Sequence, residues 1–370
     1  CPSPIRSSSP LLFLFLLFLF LQSMSDAPSP VQNLFSALSS TDARIVPPSE
    51  LIEQRFLVTR LLSTGGFGQV FLGLDIVNGK DVAVKVESRK ASVALLHIEV
   101  ECLQQLLRNQ ASKMRYANEG STPPFTQLLA YGQNETYNYM VMDLVGKSVR
   151  DLKKEQKGDV FTIQTTLWLM REMVVALKEV HEAGWIHRDV KPPNFCISRY
   201  APCRLYIVDF GMSASYLDSN GNHKIRESSS LFRGTVRYAS PAAHHGKDVC
   251  RWDDLWAVYF IACESALSQL PWRNLKCKNE VRDMKASTDL LDPTKWPMSK
   301  VPSSLTNFRS ILLASEEDEY SFYQPPPYDG LVNNISFDLS HRGWREGRSR
   351  LDWDIYPEGD TDRSSSQYFT

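Results

Sequence analysis

The chain has no CxxC pair, no internal repeat, almost no net charge and no apolar run long enough to cross a bilayer. Its seven cysteines, at positions 1, 102, 196, 203, 250, 263 and 277, are odd in number and scattered. That argues against a disulfide framework and against a thiolate zinc site. With 41 Lys and Arg against 42 Asp and Glu, no global field draws the chain onto nucleic acid or anionic lipid. The one membrane-like stretch, Leu11 to Leu21, holds 11 residues. As a helix it would span about 16 Å, roughly half a hydrocarbon core. What remains is 370 residues, 43% hydrophobic and 22% charged, which is the make-up of an enzyme-sized globular chain.

Residues 1–23 read in two ways. Arg6 ahead of the apolar run and Ser23, Ser25 and Ala27 after it suit a signal peptide and the secretory pathway. Against this, the chain starts at Cys1, and 18 of the 20 residues from Pro2 to Leu21 are Ser, Pro, Leu or Phe. Those amino acids share all-pyrimidine codons, so the run also reads as a translated leader ahead of a start at Met24. The second reading makes a cytoplasmic location the expectation. Residues 24–54 are polar and Pro/Ser-rich and read as a flexible arm.

From Arg55 the pattern changes. The runs RFLVTRLL, QVFLGL and DVAVKVE are strand-like and separated by Gly turns. A helical stretch, Ala91 to Leu107, follows, and then strands near Leu128–Tyr131 and Tyr137–Asp143. Beyond these the period becomes 3.6, with Leu167, Met170, Val174 and Leu177 on one helical face. Residues 253–267 are apolar almost all round, as in a buried helix. A small strand-rich half (55–143) followed by a larger helical half (147–336) predicts an α+β chain of two lobes. Residues 337–370 read as a polar, loosely ordered tail.

Several residues in this frame carry chemistry. Gly65, Gly66 and Gly68 lie between two strands, where glycine lets backbone N–H groups approach phosphates. Lys85 is a lysine on the inner face of an alternating strand, which needs an anion to neutralise it. Glu99 supplies one, an acid on an apolar helical stripe with Leu96, Leu103 and Leu106. The segment His187-Arg188-Asp189-Val190-Lys191-Pro192-Pro193-Asn194 places a carboxylate, a cation and an amide within one loop. Fifteen residues after Asn194 a strand delivers Asp209-Phe210-Gly211. Phosphoryl transfer to a hydroxyl needs a group to accept its proton, charge stabilisation and oxygen ligands for Mg²⁺.

In this order and spacing the motifs resemble a eukaryotic protein kinase. The run Phe232-Arg233-Gly234-Thr235-Val236-Arg237-Tyr238-Ala239-Ser240 is similar to the casein kinase 1 superfamily. DDLW (253–256), QLPWR (269–273) and Leu351-Asp352-Trp353-Asp354 resemble its tau-tubulin kinase-like branch. The resemblance covers about residues 55–336 plus that tail fragment, and it implies a bilobal kinase fold, ATP and Mg²⁺ as cofactors, and protein substrates. It makes Asp189 the catalytic base and has Lys191 steady the γ-phosphate. Lys85, paired with Glu99, would contact the α/β-phosphates, with Asn194 and Asp209 holding Mg²⁺. The ATP pocket would be lined by Gly65, Gly66, Gly68, Val70, Ala83 and Lys85, with Met142 as gatekeeper and Cys196 beneath adenine. Backbone groups of Asp143 and Val145 would read the base.

Departures from the family pattern are few. Ser63 replaces the first loop glycine; its Cβ restricts positive φ and is expected to loosen the phosphate lid, at a cost of at most about 1–2 kcal/mol in nucleotide affinity. Pro193 stands where the branch usually has Ser. The segment ending Ala239-Ser240-Pro241 offers no Glu for the usual pair with a late Arg. Between His223 and Arg251 six Lys/Arg face two acids. Arg188 and Arg237 also match family positions, so the resemblance implies that Arg188, Arg233 and Arg237 form an anion site for acidic or phospho-primed substrates, extended by Arg273, Lys276 and Lys278. The alternative is a catalytically weak pseudokinase that acts as a binding scaffold. A monomer is expected, and a cytoskeletal substrate follows from the branch name alone.

Overall fold

Alternating apolar residues in the first third of the folded chain build one antiparallel sheet. The computed structural model describes residues 44–354 except positions 48, 67, 117–121, 229, 298 and 299. The strands are β1 (Leu51–Ile52), β2 (Phe56–Gly65), β3 (Gly68–Asp75), β4 (Lys80–Ser88), β5 (Leu128–Gln133) and β6 (Tyr137–Asp143), in the order β1-β2-β3-β4-β6-β5. Val82, Val84 and Val86 of β4 share one face and join Phe56, Val58, Phe71 and Val141 in a core of their own. Ala83 and Lys85 therefore face the opposite side, where helix α1 (Leu96–Tyr116) packs.

This helix starts later and runs longer than the expected Ala91–Leu107. Ala91 N–H is used in a turn onto Ser88 O at 2.9 Å. The N–H groups of Leu95 and Leu96 are taken by Oε2 of Glu87, at 2.6 and 3.0 Å. Glu87 is 1% exposed, so a buried carboxylate from β4 fixes where α1 begins. At the far end Lys113 pairs with Glu179 and Glu182 at 2.7 and 2.5 Å. That tie gives the polar residues after Leu107 a partner that periodicity does not reveal.

The second half holds α2 (Val149–Lys154), α3 (Ile163–Glu182), β7 (Trp185–Ile186), β8 (Phe195–Ile197), β9 (Leu205–Ile207) and β10 (Ala214–Ser215). Then come α4 (Pro241–His244), α5 (Arg251–Leu267), α6 (Lys278–Ser287), α7 (Ser303–Glu317) and α8 (Tyr328–His341). Leu167, Met170, Val174 and Leu177 of α3 are buried, as is almost all of α5. A strand-rich lobe is thus followed by a larger helical one, the α+β arrangement the pattern predicts. One core runs from Leu103 and Met140 in the first lobe to Leu331 in the second.

Two expected boundaries move. Residues 44–54, assigned to the flexible arm, pack on the sheet: Val46 is fully buried, Ile45 N–H donates to Gln69 Oε1 at 2.8 Å, and β1 pairs with β2. The expected limit at 336 falls inside α8, and residues 337–354 close over the helical lobe instead of forming a loose tail. Trp353 packs edge-on against Phe161 and Trp168, with centroids at 5.5 and 6.0 Å. Asp352 accepts from Thr162 N–H and Oγ1 at 2.6 and 2.8 Å, capping the start of α3. These anchors stand singly among Arg, Gly and Ser, so no periodicity announces them. The leader or signal reading of residues 1–23 and the rest of the arm lie outside the described residues, as do residues 355–370.

Candidate active site

The cleft between the lobes is assembled from three stretches of chain. From the sheet, Lys85 Nζ donates to Glu99 Oε2 at 2.5 Å and to Asp209 Oδ1 at 2.7 Å. Burial works against the Lys85 ammonium, but these two carboxylates outweigh it and hold the group above its ordinary range. Burial pushes the Glu99 carboxyl up against the pull of Lys85. Asp209 is half-buried, and Lys85 beside it holds its carboxyl below the usual range.

The second stretch is the loop after β7. Asp189 is 6% exposed. Its Oδ2 accepts from Lys191 Nζ at 2.5 Å and its Oδ1 from Thr235 Oγ1 at 2.7 Å. Asn194 donates its amide to Asp189 O at 3.0 Å. The loop is held from below by Asp254 of α5, 3% exposed, which accepts from His187 N–H at 2.7 Å and Arg188 N–H at 2.9 Å. Its Oδ2 also meets His181 Nε2 at 2.9 Å. Those bonds secure Arg188 in the left-handed region at φ 63°. Gly234 must be glycine: at φ 88° an added Cβ would stand 2.3 Å from Arg188 O.

The third stretch crosses from β9 to β10. Val208 N–H bonds Asn194 O at 2.9 Å, so Asn194 and Asp209 are brought to one end of the β8–β9 pair. Phe210 is buried against His187, with ring centroids 5.3 Å apart. The carboxylate of Asp209 and the amide oxygen of Asn194 are hard oxygen donors. Two such donors plus phosphate oxygens suit Mg²⁺, which keeps few protein ligands. Among the described residues no group of three or more His, Cys, Asp or Glu could hold a metal by itself.

The expected nucleotide pocket is brought together. Ala83 pairs with Met142 across β4 and β6, Val70 with Lys85 across β3 and β4, and Ala83, Met142 and Cys196 are buried. Gly146 N–H bonds Ile197 O at 2.8 Å, which ties the segment holding Asp143 and Val145 to the strand holding Cys196. Burial pushes the Cys196 thiol up to about 12, so it is a small apolar floor and not a nucleophile. Of Gly65, Gly66 and Gly68, only Gly68 has a positive φ, at 138°. Ser63 sits in the β2–β3 ladder opposite Val70 without a positive φ, so the strain expected of its Cβ does not arise.

The expected anion site is divided. Arg188 donates to Met212 O and Ser213 O at 2.7 and 3.0 Å, so its guanidinium is committed to the segment after Asp209-Phe210-Gly211. It shares a small cavity of about 50 Å³ with Arg233. Arg237 instead lines a separate recess of about 430 Å³ with Lys191, Arg273, Arg150 and Lys154. The rest of the basic run disperses, with Arg251 stacked on Tyr216 at 4.6 Å and Lys224 bonded to Ser215 O at 2.7 Å. Sequence reasoning missed Asp254, Thr235 and the α2 cations Arg150 and Lys154. DDLW contained the signal for Asp254, an acid repeated inside an almost wholly apolar helix.

A family model described as the protein kinase domain matches residues 56–319. The chain belongs to the protein kinase domain family. A Dictyostelium discoideum protein named as a probable serine/threonine-protein kinase is 33% identical over 298 residues, covering 78% of this chain and 57% of that protein. The chain therefore spans little more than half the length of that relative. A Caenorhabditis elegans protein named for casein kinase I is 27% identical over 285 residues, covering 75% of this chain and 81% of its own length. The strand-rich lobe and helical lobe described above are the two lobes of the kinase fold.

Proposed function

We propose that the chain is a serine/threonine protein kinase of the casein kinase 1 type, closest in its motifs to the tau-tubulin kinase-like branch. The observation that carries this reading is the setting of Asp189, one carboxylate oxygen on Lys191 and the other on Thr235. Bound Mg²⁺-ATP supplies the γ-phosphoryl group and the charge that the metal neutralises. Lys85, fixed by Glu99 and Asp209, orients the phosphates. Asp189 positions the substrate hydroxyl and accepts its proton, while the Lys191 ammonium offsets charge gathering beside it. Asn194 and Asp209 would hold the metal. The pseudokinase alternative needs a damaged site, and the intact Lys85–Glu99 and Asp189–Lys191 pairs favour catalysis over it.

The preferred substrate is a peptide with an acidic or phosphorylated residue next to the acceptor. Support comes from the recess beside Lys191, where Arg237, Arg273, Arg150 and Lys154 face the acids Asp159 and Glu264. Charge-assisted bonds from Arg to phosphate are the strong kind, each contributing about 1.5–3 kcal/mol. The test compares primed and unprimed versions of one peptide. Replacing Arg237 and Arg273 by Ala should raise the primed peptide's KM at least about tenfold and leave the unprimed KM unchanged. Equal losses on both peptides would remove the anion reading.

A further inference from the structure

The segment Val236–Ala239 links Thr235, which contacts Asp189, to helix α4, and it carries Arg237 into the basic recess. The sequence offers no acid–arginine pair to end it, so another group must hold it. We propose that Lys285 of α6 is the positioning residue for this substrate-facing segment.

Lys285 Nζ donates to Val236 O at 3.0 Å and to Ala239 O at 2.7 Å. The ammonium also lies 4.5 Å from the Phe260 ring centroid and 5.3 Å from that of Trp272. Trp272 contributes a third bond, Nε1–H to Arg237 O at 2.9 Å. Three carbonyls among four consecutive residues are thus held by donors from the helical lobe. The segment's own backbone bonds are few: Tyr238 N–H to Thr235 O at 3.0 Å and Ala239 N–H to Val236 O at 3.4 Å. On the opposite side Tyr238 OH donates to Glu264 at 2.7 Å.

A lysine so placed is unusual. Burial pushes its ammonium down to about 7, and among the described residues no carboxylate comes within 4.0 Å of it. Peptide carbonyls and aromatic faces are what remain to offset desolvation, and each favours a cation over an apolar side chain. The clamp fixes the backbone on both sides of Arg237, so it sets where that guanidinium enters the recess. The proposal rests on the kinase reading only in that a peptide is what the segment faces.

The test uses the full chain with Lys285→Met, which keeps the volume and removes the donors, and Lys285→Arg, which keeps the charge. Hydrogen exchange across residues 235–240 needs no activity. In Lys285→Met it should quicken by about tenfold or more, the loss of a charged hydrogen bond, while exchange in α3 and α5 stays as in the parent. Peptide KM should rise by a similar factor with ATP KM unchanged, and Lys285→Arg should recover most of that loss. Unchanged exchange at 235–240, or faster exchange throughout the helical lobe, would overturn the clamp. A parent chain that transfers no phosphate would sink the kinase reading, and the exchange data would still decide the role of Lys285.

Discussion

Glu87 stands two residues beyond Lys85 on the same strand and caps the helix that presents Glu99 in its first turn. Its other oxygen accepts from Asn138 Nδ2 at 3.3 Å. Replacing it by Ala leaves two helix N–H groups without an acceptor in a site only 1% exposed. A lost cap costs about 0.5–2 kcal/mol, and a buried donor left unsatisfied about 1–3 kcal/mol. Together these predict about 2–4 kcal/mol for Glu87→Ala, and about 1–2 kcal/mol for Glu87→Gln, which keeps one acceptor oxygen. Fraying the first turn of α1 withdraws Glu99 from Lys85, so kcat should fall about tenfold for each 1.4 kcal/mol spent on re-forming the pair. The assay is a double-mutant cycle on kcat with Glu99→Ala. If Glu87 acts through Glu99, the double variant is no slower than Glu99→Ala alone. Multiplied losses, or an unchanged kcat in a destabilised Glu87→Ala, would refute this reasoning.

Two further outcomes concern stability. Trp353→Ala should lower unfolding free energy by about 3–5 kcal/mol in urea melts, the ordinary cost of emptying a buried aromatic site, because Trp353 fills the space between Phe161 and Trp168. A change below about 1 kcal/mol would mean that residues 337–354 are peripheral after all. His244 is 4% exposed, neither ring nitrogen has a hydrogen-bond partner among the described residues, and burial with the nearby charges of Lys285, Lys278 and Arg282 pushes its pKa down to about 4. The unfolded chain then binds the proton more readily, so stability is fully present above about pH 6.5 and is lost as pH falls toward 4. Between pH 7 and 4.5 this one group should account for about 2–3 kcal/mol. His244→Gln should lose that much less over the same range, and identical pH profiles would contradict the assignment.

How far the sequence reaches depends on how contacts are spaced along the chain. Lys85 and Glu99 could be placed face to face because strand and helix periods fix their directions. Asp189, Asn194 and Asp209 lie within one loop and the next strand, so their motif is local. Thr235 reaches Asp189 across 46 residues, and Asp254 holds Arg188 across 66. No period relates such pairs. Charge counting failed for a different reason: a run of six cations says nothing about which carbonyls, rings and acids each one meets. Arg188 and Arg251 are spent on backbone carbonyls and an aromatic ring, while Arg150 and Lys154, far off in sequence, share the recess of Arg237. Trp353 and Leu351 belong to a recognisable motif, yet single anchors in a polar stretch carry no periodicity that extends the fold beyond 336.

The most direct test of the central claim is transfer of ³²P from Mg²⁺-ATP to casein and to a primed peptide by the full chain, with Asp189→Asn beside it. The account predicts transfer by the parent and none by the variant, while ATP raises the melting temperature of both. Retained transfer by Asp189→Asn, or a parent that binds ATP and transfers nothing, would contradict it.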